Sequence, residues 1–388
     1  MSLPRLITYS FLLVILGLFF FSFTQVDLSL TLSQVSLWQT IQKSFQQIGY
    51  FNRPLSAALF LVIISLMFSY YIYFLYRAYK KRINKKDIWV IVFLTGVILT
   101  FSYNAFSYDL FNYIFDAKII TFYNQNPYFH KALDFPGDPM LSFMHWTHRY
   151  YPYGPFWLVL TTPLSFIGAN IFLLTFFLFK GLATAFFLGS VYLIYKITEK
   201  INPEYSLFAT TLFALNPLVI IEGLVSAHND IAMVFFALFG IYLFVIKRKI
   251  LGILLVSAST LIKIPTTILL LPMLINTVSY KKIHLSQDNF FLSIVILGAG
   301  GIAYSLTRLE IQPWYFLWVF PFICLLKPNK YIIVAGVGLS LGLLLRYLPF
   351  LYFGTWDGIV LPIRNYLTIF AVIIPLIPLF LADLIRKG

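Results

Sequence analysis

The stretch LSAALFLVIISLMFSYYIYFLYRAYKKRINKK, residues 55–86, decides the fold. Its first 22 residues carry no charge, and a helix of that length crosses about 30 Å of hydrocarbon. It then runs into Arg77, Lys80, Lys81, Arg82, Lys85 and Lys86, the densest basic cluster in the chain. Loops on the cytoplasmic side of a membrane carry such clusters, so this one is expected inside. The chain as a whole agrees. It has 388 residues, 60% hydrophobic, 19% aromatic and only 11% charged, with mean hydropathy +0.85. Soluble domains average about 25% charged residues, so a water-surrounded domain is excluded. The expected class is all-α: a polytopic membrane protein in a single integral-membrane domain, with no soluble domain and no linker.

Working outward, residues 6–23 form a first span, read as a retained helix because no small-residue cleavage site follows. Arg5 is then inside, and residues 88–101 lead outward. Residues 102–155 become a large extracytoplasmic loop. Further inside markers recur at Lys196 and Lys200, at 247–249, at Lys281 and Lys282, at Lys327 and Lys330, and at Arg386 and Lys387. They are compatible with spans near 170–195, 206–226, 231–246, 287–306, 313–326, 331–350 and 360–385. Residues 250–279 are too few for two full crossings and are expected as two short or re-entrant helices meeting at Lys263-Ile264-Pro265, buried in protein; residues 156–167 are similarly short. The sum is about 12 crossings with both termini cytoplasmic. The chain divides into a helix pair (1–87), a core (88–326) and C-terminal helices (327–388). The net charge of +14 is explained by topology first and by anionic lipid or lipid phosphate second, so nucleic acid is not an expected partner and membrane lipids are. The lone Cys324 excludes an internal disulfide and a thiolate metal cluster.

Polar chemistry concentrates on the outer side. Of 14 acidic residues, Asp109, Asp116, Asp134 and Asp138 lie in the 102–155 loop, with His130, His145, His148 and Arg149 and many aromatic residues. Such a mix suits sugar recognition, because rings stack on pyranose faces and carboxylates accept from hydroxyls. A loop of this length is expected to be structured or functional. The plain alternative is an aromatic belt at the headgroups. Asp109, Asn112, Tyr113 and Asp116 are spaced i, i+3, i+4, i+7 and share one helical face; the expectation is an interfacial helix presenting two carboxylates about 10 Å apart. One would deprotonate an attacking hydroxyl while the other holds a hydroxyl or a metal ion. Helix capping explains Asp109 as well, but not Asp116.

Glu222 is an intramembrane acid two turns before an outer helix end, where an unpaired charge is costly. Its candidate partners are His228, Lys263 and Arg308. Asn229 and Asp230 stand where the next helix starts and are read either as caps or as site residues. Lys263 is the cation most deeply set in apolar sequence: it either snorkels to a headgroup or lines the outer cavity. Gln312-Pro313-Trp314-Tyr315 opens another span from the outside, and Arg346 and Arg364 flank the last outer loop.

The ordered set Ser107-Tyr108-Asp109, Asn126-Pro127-Tyr128, Tyr151-Pro152-Tyr153-Gly154-Pro155, Glu222, His228-Asn229-Asp230, Lys263-Ile264-Pro265 and Pro313-Trp314-Tyr315 resembles the GT-C glycosyltransferases, especially the bacterial and archaeal α-mannosyltransferases that use polyprenyl-phosphate mannose. The likeness runs in order from about residue 88 to 320. It implies a multi-helix membrane scaffold whose outer-loop acid acts on an acceptor hydroxyl. A hexose, mannose by resemblance, leaves its polyprenyl phosphate with inversion and passes to an extracytoplasmic glycan or lipid. By position, Asp109 resembles the catalytic acid, His228, Asn229 and Asp230 the second outer-face motif, and Lys263 the cavity lysine. The second acid, Asp116, and the two spans before the loop depart from the simplest members, so both carboxylates stay candidates for the base. Donor phosphate and sugar are expected against Lys263, His228, Asn229, Asp230, Glu222, Arg308, Tyr153, Trp314 and Tyr315. A divalent metal, Mg or Mn, would take Asp109, Asp116 and His228 as ligands. Two other classes fit less well. A lipid-linked glycan flippase or transporter would spread polar residues through both halves, and an O-antigen-ligase-like transferase would want more outer arginines.

Overall fold

The computed structural model describes residues 5–278, 285–307 and 309–387, and no strand occurs among them. The helices are, in chain order, α1 (Arg5–Thr24), α2 (Ser36–Gln46), α3 (Arg53–Tyr79), α4 (Lys85–Thr100), α5 (Asp109–Thr121), α6 (Pro155–Ile167), α7 (Phe172–Ile201), α8 (Ser206–Ala214), α9 (Pro217–Ile220), α10 (Asp230–Val245), α11 (Lys249–Thr260), α12 (Leu270–Val278), α13 (Gln287–Leu306), α14 (Phe320–Ile323), α15 (Lys330–Leu345), α16 (Tyr347–Phe353) and α17 (Val360–Lys387). Asparagines start several of them. Asn84 accepts from the Asp87 amide at 2.8 Å and Asn329 from the Tyr331 amide at 3.0 Å, satisfying N–H groups that a helix start leaves bare.

Six helices among the described residues are long and apolar enough to cross a membrane: α1, α3, α7, α13, Lys330–Phe353 and Val360–Asp383. A seventh is added if Pro203–Ala214 and Pro217–Val225, bent by 55°, count as one span. The protein is a helical membrane protein. The expectation of about 12 crossings rests on segments that fold as shorter helices: α4 and α10 have 16 residues, α6 has 13 and α11 has 12. Helices that short do not cover about 30 Å alone. As expected, α11 and the 3₁₀ turns at Ile264–Leu269 meet around Lys263, but they are not buried in protein: Leu261 is 50% and Ile264 79% exposed, the backbone at the break being paired with Ser259, Gly154 and Phe156 instead.

The bundle has two unlike ends. At one, Lys81 meets Glu204 at 3.7 Å, Lys85 lies over the Tyr195 ring, Gln287 donates to the Ile201 carbonyl, Lys327 pairs with Asp288 and Lys330 with Asp383. This basic end brings the inter-helix lysines together. At the other end lie the last turn of α1, the starts of α3, α7 and α10, and residues 102–155.

The bend in the broken helix has a local cause. Asn216 caps α9 by accepting from the Leu218 amide at 2.9 Å, and Pro217 follows at the first turn, where its missing N–H costs nothing. The Asn216 amide group donates to the Tyr71 hydroxyl and the Ser340 hydroxyl, so the break is tied to α3 and α15 by buried hydrogen bonds. At the basic-to-acidic midsection, α15 and α17 approach through glycine. A Cβ at Gly338 would lie 2.4 Å from the Ala371 carbonyl oxygen, and one at Gly342 2.8 Å from the Thr368 Cα. Small residues are what let helix backbones close on one another in lipid.

Gly342→Val is expected to destabilise the detergent-solubilised protein by about 1–3 kcal/mol through overpacking. Gly17→Ala, where nothing lies within 4 Å, is expected to leave the thermal midpoint unchanged or slightly raised. Equal midpoints for Gly342→Val and wild type would contradict the close α15–α17 contact.

Candidate active site

The 102–155 segment is a folded unit. Helix α5 was expected to lie at the interface; it is instead buried between α6 and α7. Leu110, Phe111, Tyr113, Ile114, Phe115, Asp116, Ala117, Lys118 and Ile119 are all covered. Apolar side chains surround this helix on nearly every side, and a helix of that kind belongs in an interior. The shared face of Asp109, Asn112, Tyr113 and Asp116 holds, and it points into protein. Tyr113 donates to the Asn229 side chain at 3.3 Å, and Asn112 donates to the Trp146 carbonyl at 3.3 Å. Asp109 begins the helix, but no cap hydrogen bond comes from its side chain.

Opposite α5, α9 continues into a π turn, Ile221–Val225. It ends where Lys180 of α7, wholly buried, donates to the carbonyls of Leu224 and Val225 (2.9 Å to the latter) and to the Ser102 hydroxyl at 3.0 Å. A cation at a helix C-terminus satisfies carbonyls left without N–H partners. Ala227 then adopts φ +53°, a left-handed conformation that costs a residue with a Cβ about 1 kcal/mol or more. That turn places His228 inside the protein.

Four side chains from distant parts of the chain form a row. Tyr347 donates to Glu222 Oε1 at 2.9 Å. Glu222 Oε2 lies 3.2 Å from His228 Nε2, and Asp109 Oδ2 lies 3.5 Å from His228 Nδ1. Trp314 stacks on the imidazole with centroids 4.2 Å apart. His228 and Glu222 are fully buried, whereas the Asp109 carboxylate keeps 19% of its surface, so Asp109 is where the row opens. Neither imidazole nitrogen meets hydrogen-bond geometry with a carboxylate, so these are charge contacts. Burial alone would lower the His228 pKa; the adjacent carboxylates of Asp109 and Glu222 outweigh it and raise it to about 9. For Asp109, burial pushes the pKa upward, but the adjacent imidazolium of His228, then Lys263 and Trp146, hold it below the ordinary carboxylate range. Asp116 is driven the other way, well above that range, by burial and then by the negative charge of Asp109. It makes no hydrogen bond or ion pair among the described residues.

Beside this row stands a second pair. Lys263 Nζ contacts Asp230 Oδ2 at 2.7 Å, and the Trp318 indole donates to Asp230 Oδ1 at 2.6 Å. Glu222 therefore pairs with His228 and Tyr347, and Lys263, one of its expected partners, belongs to Asp230. Lys263 retains 19% exposure and sits 5.7 Å from the Tyr153 ring. Tyr315 stacks on Trp318 at 4.3 Å. Asn229 occupies the N-cap position of α10 but caps nothing with its side chain. The Tyr-Pro-Tyr-Gly-Pro turn reaches the lysine through backbone: the Gly154 amide donates to the Ile262 carbonyl at 3.1 Å and the Phe156 amide to Leu261 at 3.0 Å. A Cβ at Gly154 would lie 2.1 Å from the Leu261 oxygen, so only glycine permits this contact.

Of the residues expected at the site, Asp109, Glu222, His228, Asn229, Asp230, Lys263, Tyr153, Trp314 and Tyr315 converge at the acidic end. Asp116 lies deeper on α5, and Arg308 is outside the described residues. His145 stacks on Tyr108 instead, and His130 faces Asp134. Tyr347, Trp318 and Lys180 were not anticipated, and Tyr113 was placed on the shared face of α5 but given no role. Trp318 had a signal in its i+4 spacing from Trp314; Tyr347 had none. A metal held by Asp109, Asp116 and His228 does not fit this arrangement. Two of the three ligands are seven residues apart on one helix, the imidazole between two carboxylates keeps its protons, and no group of three His, Cys, Asp or Glu among the described residues is placed to hold an ion.

The raised His228 pKa has a stability consequence. The folded value of about 9 exceeds the ordinary 6.5, so the imidazolium contribution is complete below about pH 6.5 and is lost as pH rises through about 9. Thermal midpoints in detergent are expected to fall over that window, and His228→Gln is expected to flatten the fall. An equal slope in both proteins would remove His228 from the row.

No curated protein and no solved structure matches the chain. A family does: residues 9–279, which contain α5, the π turn, His228 and Lys263, match the MptA_B family, described as alpha-(1->6)-mannopyranosyltransferase, N-terminal domain. With that match spanning more than two thirds of its length, a membrane scaffold that gathers carboxylates, an imidazole and stacked aromatic rings at one end belongs to the MptA_B family of mannosyltransferases.

Proposed function

We propose that the protein is an inverting GT-C mannosyltransferase that moves mannose from a polyprenyl phosphate to a glycan or lipid hydroxyl on the extracytoplasmic side, with Asp109 as general base. The observation that carries this reading is the contrast between its two candidate acids. Asp109 is partly open and held ionised by His228, ready to accept a proton. Asp116 is buried and held protonated, which suits it to donate a hydrogen bond rather than to act as base.

In the proposed step the acceptor O–H gives its proton to Asp109 as its oxygen attacks the anomeric carbon. The bond from that carbon to the phosphate oxygen breaks with its electron pair, and the polyprenyl phosphate leaves. Inversion follows from a single displacement. His228⁺ keeps Asp109 charged and oriented, while Glu222 and Tyr347 fix the imidazole from its other side. The partly exposed rings of Tyr153 and Trp314 offer faces to a sugar, while Tyr315 is buried against Trp318. An apolar groove of about 550 Å³ at the same end, lined by Phe19, Phe23, Trp38, Phe45, Phe101 and Phe176 among others, suits a lipid-borne substrate. Sidedness is supported by the separation of the lysine-rich end from the acidic end.

Asp109→Asn is expected to lower kcat for transfer from polyprenyl-phosphate mannose by about 10²–10⁴-fold, while Asp116→Asn stays within about tenfold. Full activity in Asp109→Asn would sink the mechanism. A second measurement tests orientation in a Cys324→Ser background, Cys324 being the chain's single cysteine. Phe129→Cys, on the exposed loop surface, is expected to react with an impermeant maleimide on intact cells, and Lys81→Cys only after permeabilisation. The reverse pattern would place the site in the cytosol.

A further inference from the structure

A cavity of about 260 Å³ lies on the side of α5 turned away from the acid–imidazole row. Ile114, Lys118 and Thr121, spaced i, i+4, i+7, give it one wall. Lys118 follows Asp109 by nine residues, about two and a half turns. The two side chains therefore leave the helix on opposite faces, roughly 13 Å apart along its axis.

The floor of the cavity is charged. Lys118 Nζ meets Asp138 Oδ2 at 2.5 Å, the two side chains being 10% and 1% exposed. Asp138 Oδ2 also accepts from the Tyr123 hydroxyl at 2.7 Å, and Oδ1 from the Met140 amide at 2.9 Å. The carboxylate is fully engaged; the lysine is not. Beyond that one carboxylate its ammonium group has only the rings of Phe115, Phe122 and Tyr123, at 5.3–5.9 Å. Its remaining N–H donors bond to nothing among the described residues. A buried ion pair adds little to stability over apolar side chains of the same size, so stability alone does not account for one at the floor of a cavity.

The rest of the lining is mixed. The Thr121 and Ser165 hydroxyls share a bond of 2.9 Å in which either can donate. At the mouth stand exposed Gly137 and Asn170 and the Phe122 ring, 51% exposed. Ala169 and Asn170 hold φ +48° and +61°, a left-handed conformation that costs residues with a Cβ about 1 kcal/mol or more. The Asn170 side chain makes no hydrogen bond among the described residues.

This chemistry selects a class of ligand. The charges of Lys118 and Asp138 cancel, so the cavity favours neither an anion nor a cation. It offers free N–H donors, hydroxyls that donate or accept, and an aromatic ring set edge-on to Tyr123 at 5.0 Å. A neutral polyol with one apolar C–H face matches all three. The volume falls below the roughly 300–1,000 Å³ of pockets for drug-sized ligands, which leaves room for a single ring.

We propose that this cavity is a second carbohydrate site, taking one neutral hexopyranose unit of a glycan on the face of α5 opposite Asp109. A glycan gripped there stays on the protein while its reacting end comes and goes at the Asp109 opening. The retention role rests on the proposed transfer; the sugar site itself does not.

The test is a footprint on the full chain in phosphatidylcholine nanodiscs. In the Cys324→Ser background, Gly137→Cys puts a thiol at the mouth, where a Cβ meets nothing within 4 Å. Its alkylation by a maleimide is expected to slow severalfold in saturating α-mannobiose, while Phe129→Cys, outside the cavity, reacts at an unchanged rate. Adding Thr121→Val or Asn170→Gly is expected to weaken the protection about twofold to tenfold. Lys118→Met with Asp138→Asn, which removes both charges together, is expected to abolish it, with thermal midpoints verifying that each variant is folded. No slowing by mannobiose, equal slowing at both cysteines, or undiminished protection in all these variants overturns the site. Equal or stronger protection by phosphoethanolamine assigns the cavity to a lipid headgroup, and by inorganic phosphate to a free anion; either overturns the sugar. In transfer assays, Asn170→Gly is expected to raise KM for a long glycan acceptor and not for a single-unit one, and unchanged KM for both overturns retention. If mannobiose protects but no mannose moves, the proposed function fails and the sugar site stands; if transfer proceeds without protection, the reverse holds.

Discussion

A charge withdrawn from water inside a membrane protein must meet an opposite charge or a set of hydrogen bonds, and the acidic end of this bundle is organised by that requirement. His228 and Glu222 have no exposure at all. The imidazole is tolerable there because it bridges two carboxylates, and the carboxylates because they share an imidazolium and a phenol. Removing any member would leave another uncompensated. The row thereby fixes the relation between α5, the π turn after α9 and the start of α16, three elements with no sequence proximity. Lys263 and Asp230 repeat the arrangement beside it, with Trp318 supplying the remaining donor.

Regular helices could not have built this. Each functional side chain comes from a place where a helix stops, bends or loosens: Asp109 at the first residue of α5, Glu222 in a π turn, His228 after a left-handed alanine, Lys263 between two short helices. Non-helical backbone at membrane depth is tolerated only where protein satisfies it, and here it is satisfied by side chains. Asn216 anchors one break, Lys180 the next, and the Gly154 amide the turn before Lys263. The breaks at Asn216, Glu222 and Ala227 are buried, whereas the one at Lys263 is flanked by exposed Leu261 and Ile264.

Much of this was legible in the sequence for physical reasons. Apolar runs of span length, several bounded by lysine clusters, locate α1, α3, α7, α13, α15 and α17, because hydrocarbon thickness leaves little latitude. Too few residues between two basic markers announce the break at Lys263. The i, i+3, i+4, i+7 face of α5 follows from helix geometry, and the family resemblance carried by the ordered motifs agrees with the match over residues 9–279. Partner choice was not legible. Whether Glu222 meets His228 or Lys263 depends on how far a π turn rotates the chain, and nothing in the residues 221–225 states that they form one. Tyr347 reaches Glu222 across 125 positions. The burial of α5 was obscured because its polar face reads as a solvent face when the partner carrying Asn229 is unseen. Six or seven of the expected crossings are helices long and apolar enough to span; the rest fall on shorter apolar helices, whose composition is the same as that of a full span.

The glycine contact between α15 and α17 has an evolutionary side. Helix α17 packs chiefly on α15 and α16, and after Thr368 its apolar run is largely open. It brings Asn365 to Arg346 at the end of α15 and Arg364 to Glu310. This helix lies beyond the family-matched residues 9–279, and substitutions on its open face meet little of the rest of the bundle. In a lineage of such mannosyltransferases, the tail of the chain is the part freest to diverge while the acid–imidazole assembly persists.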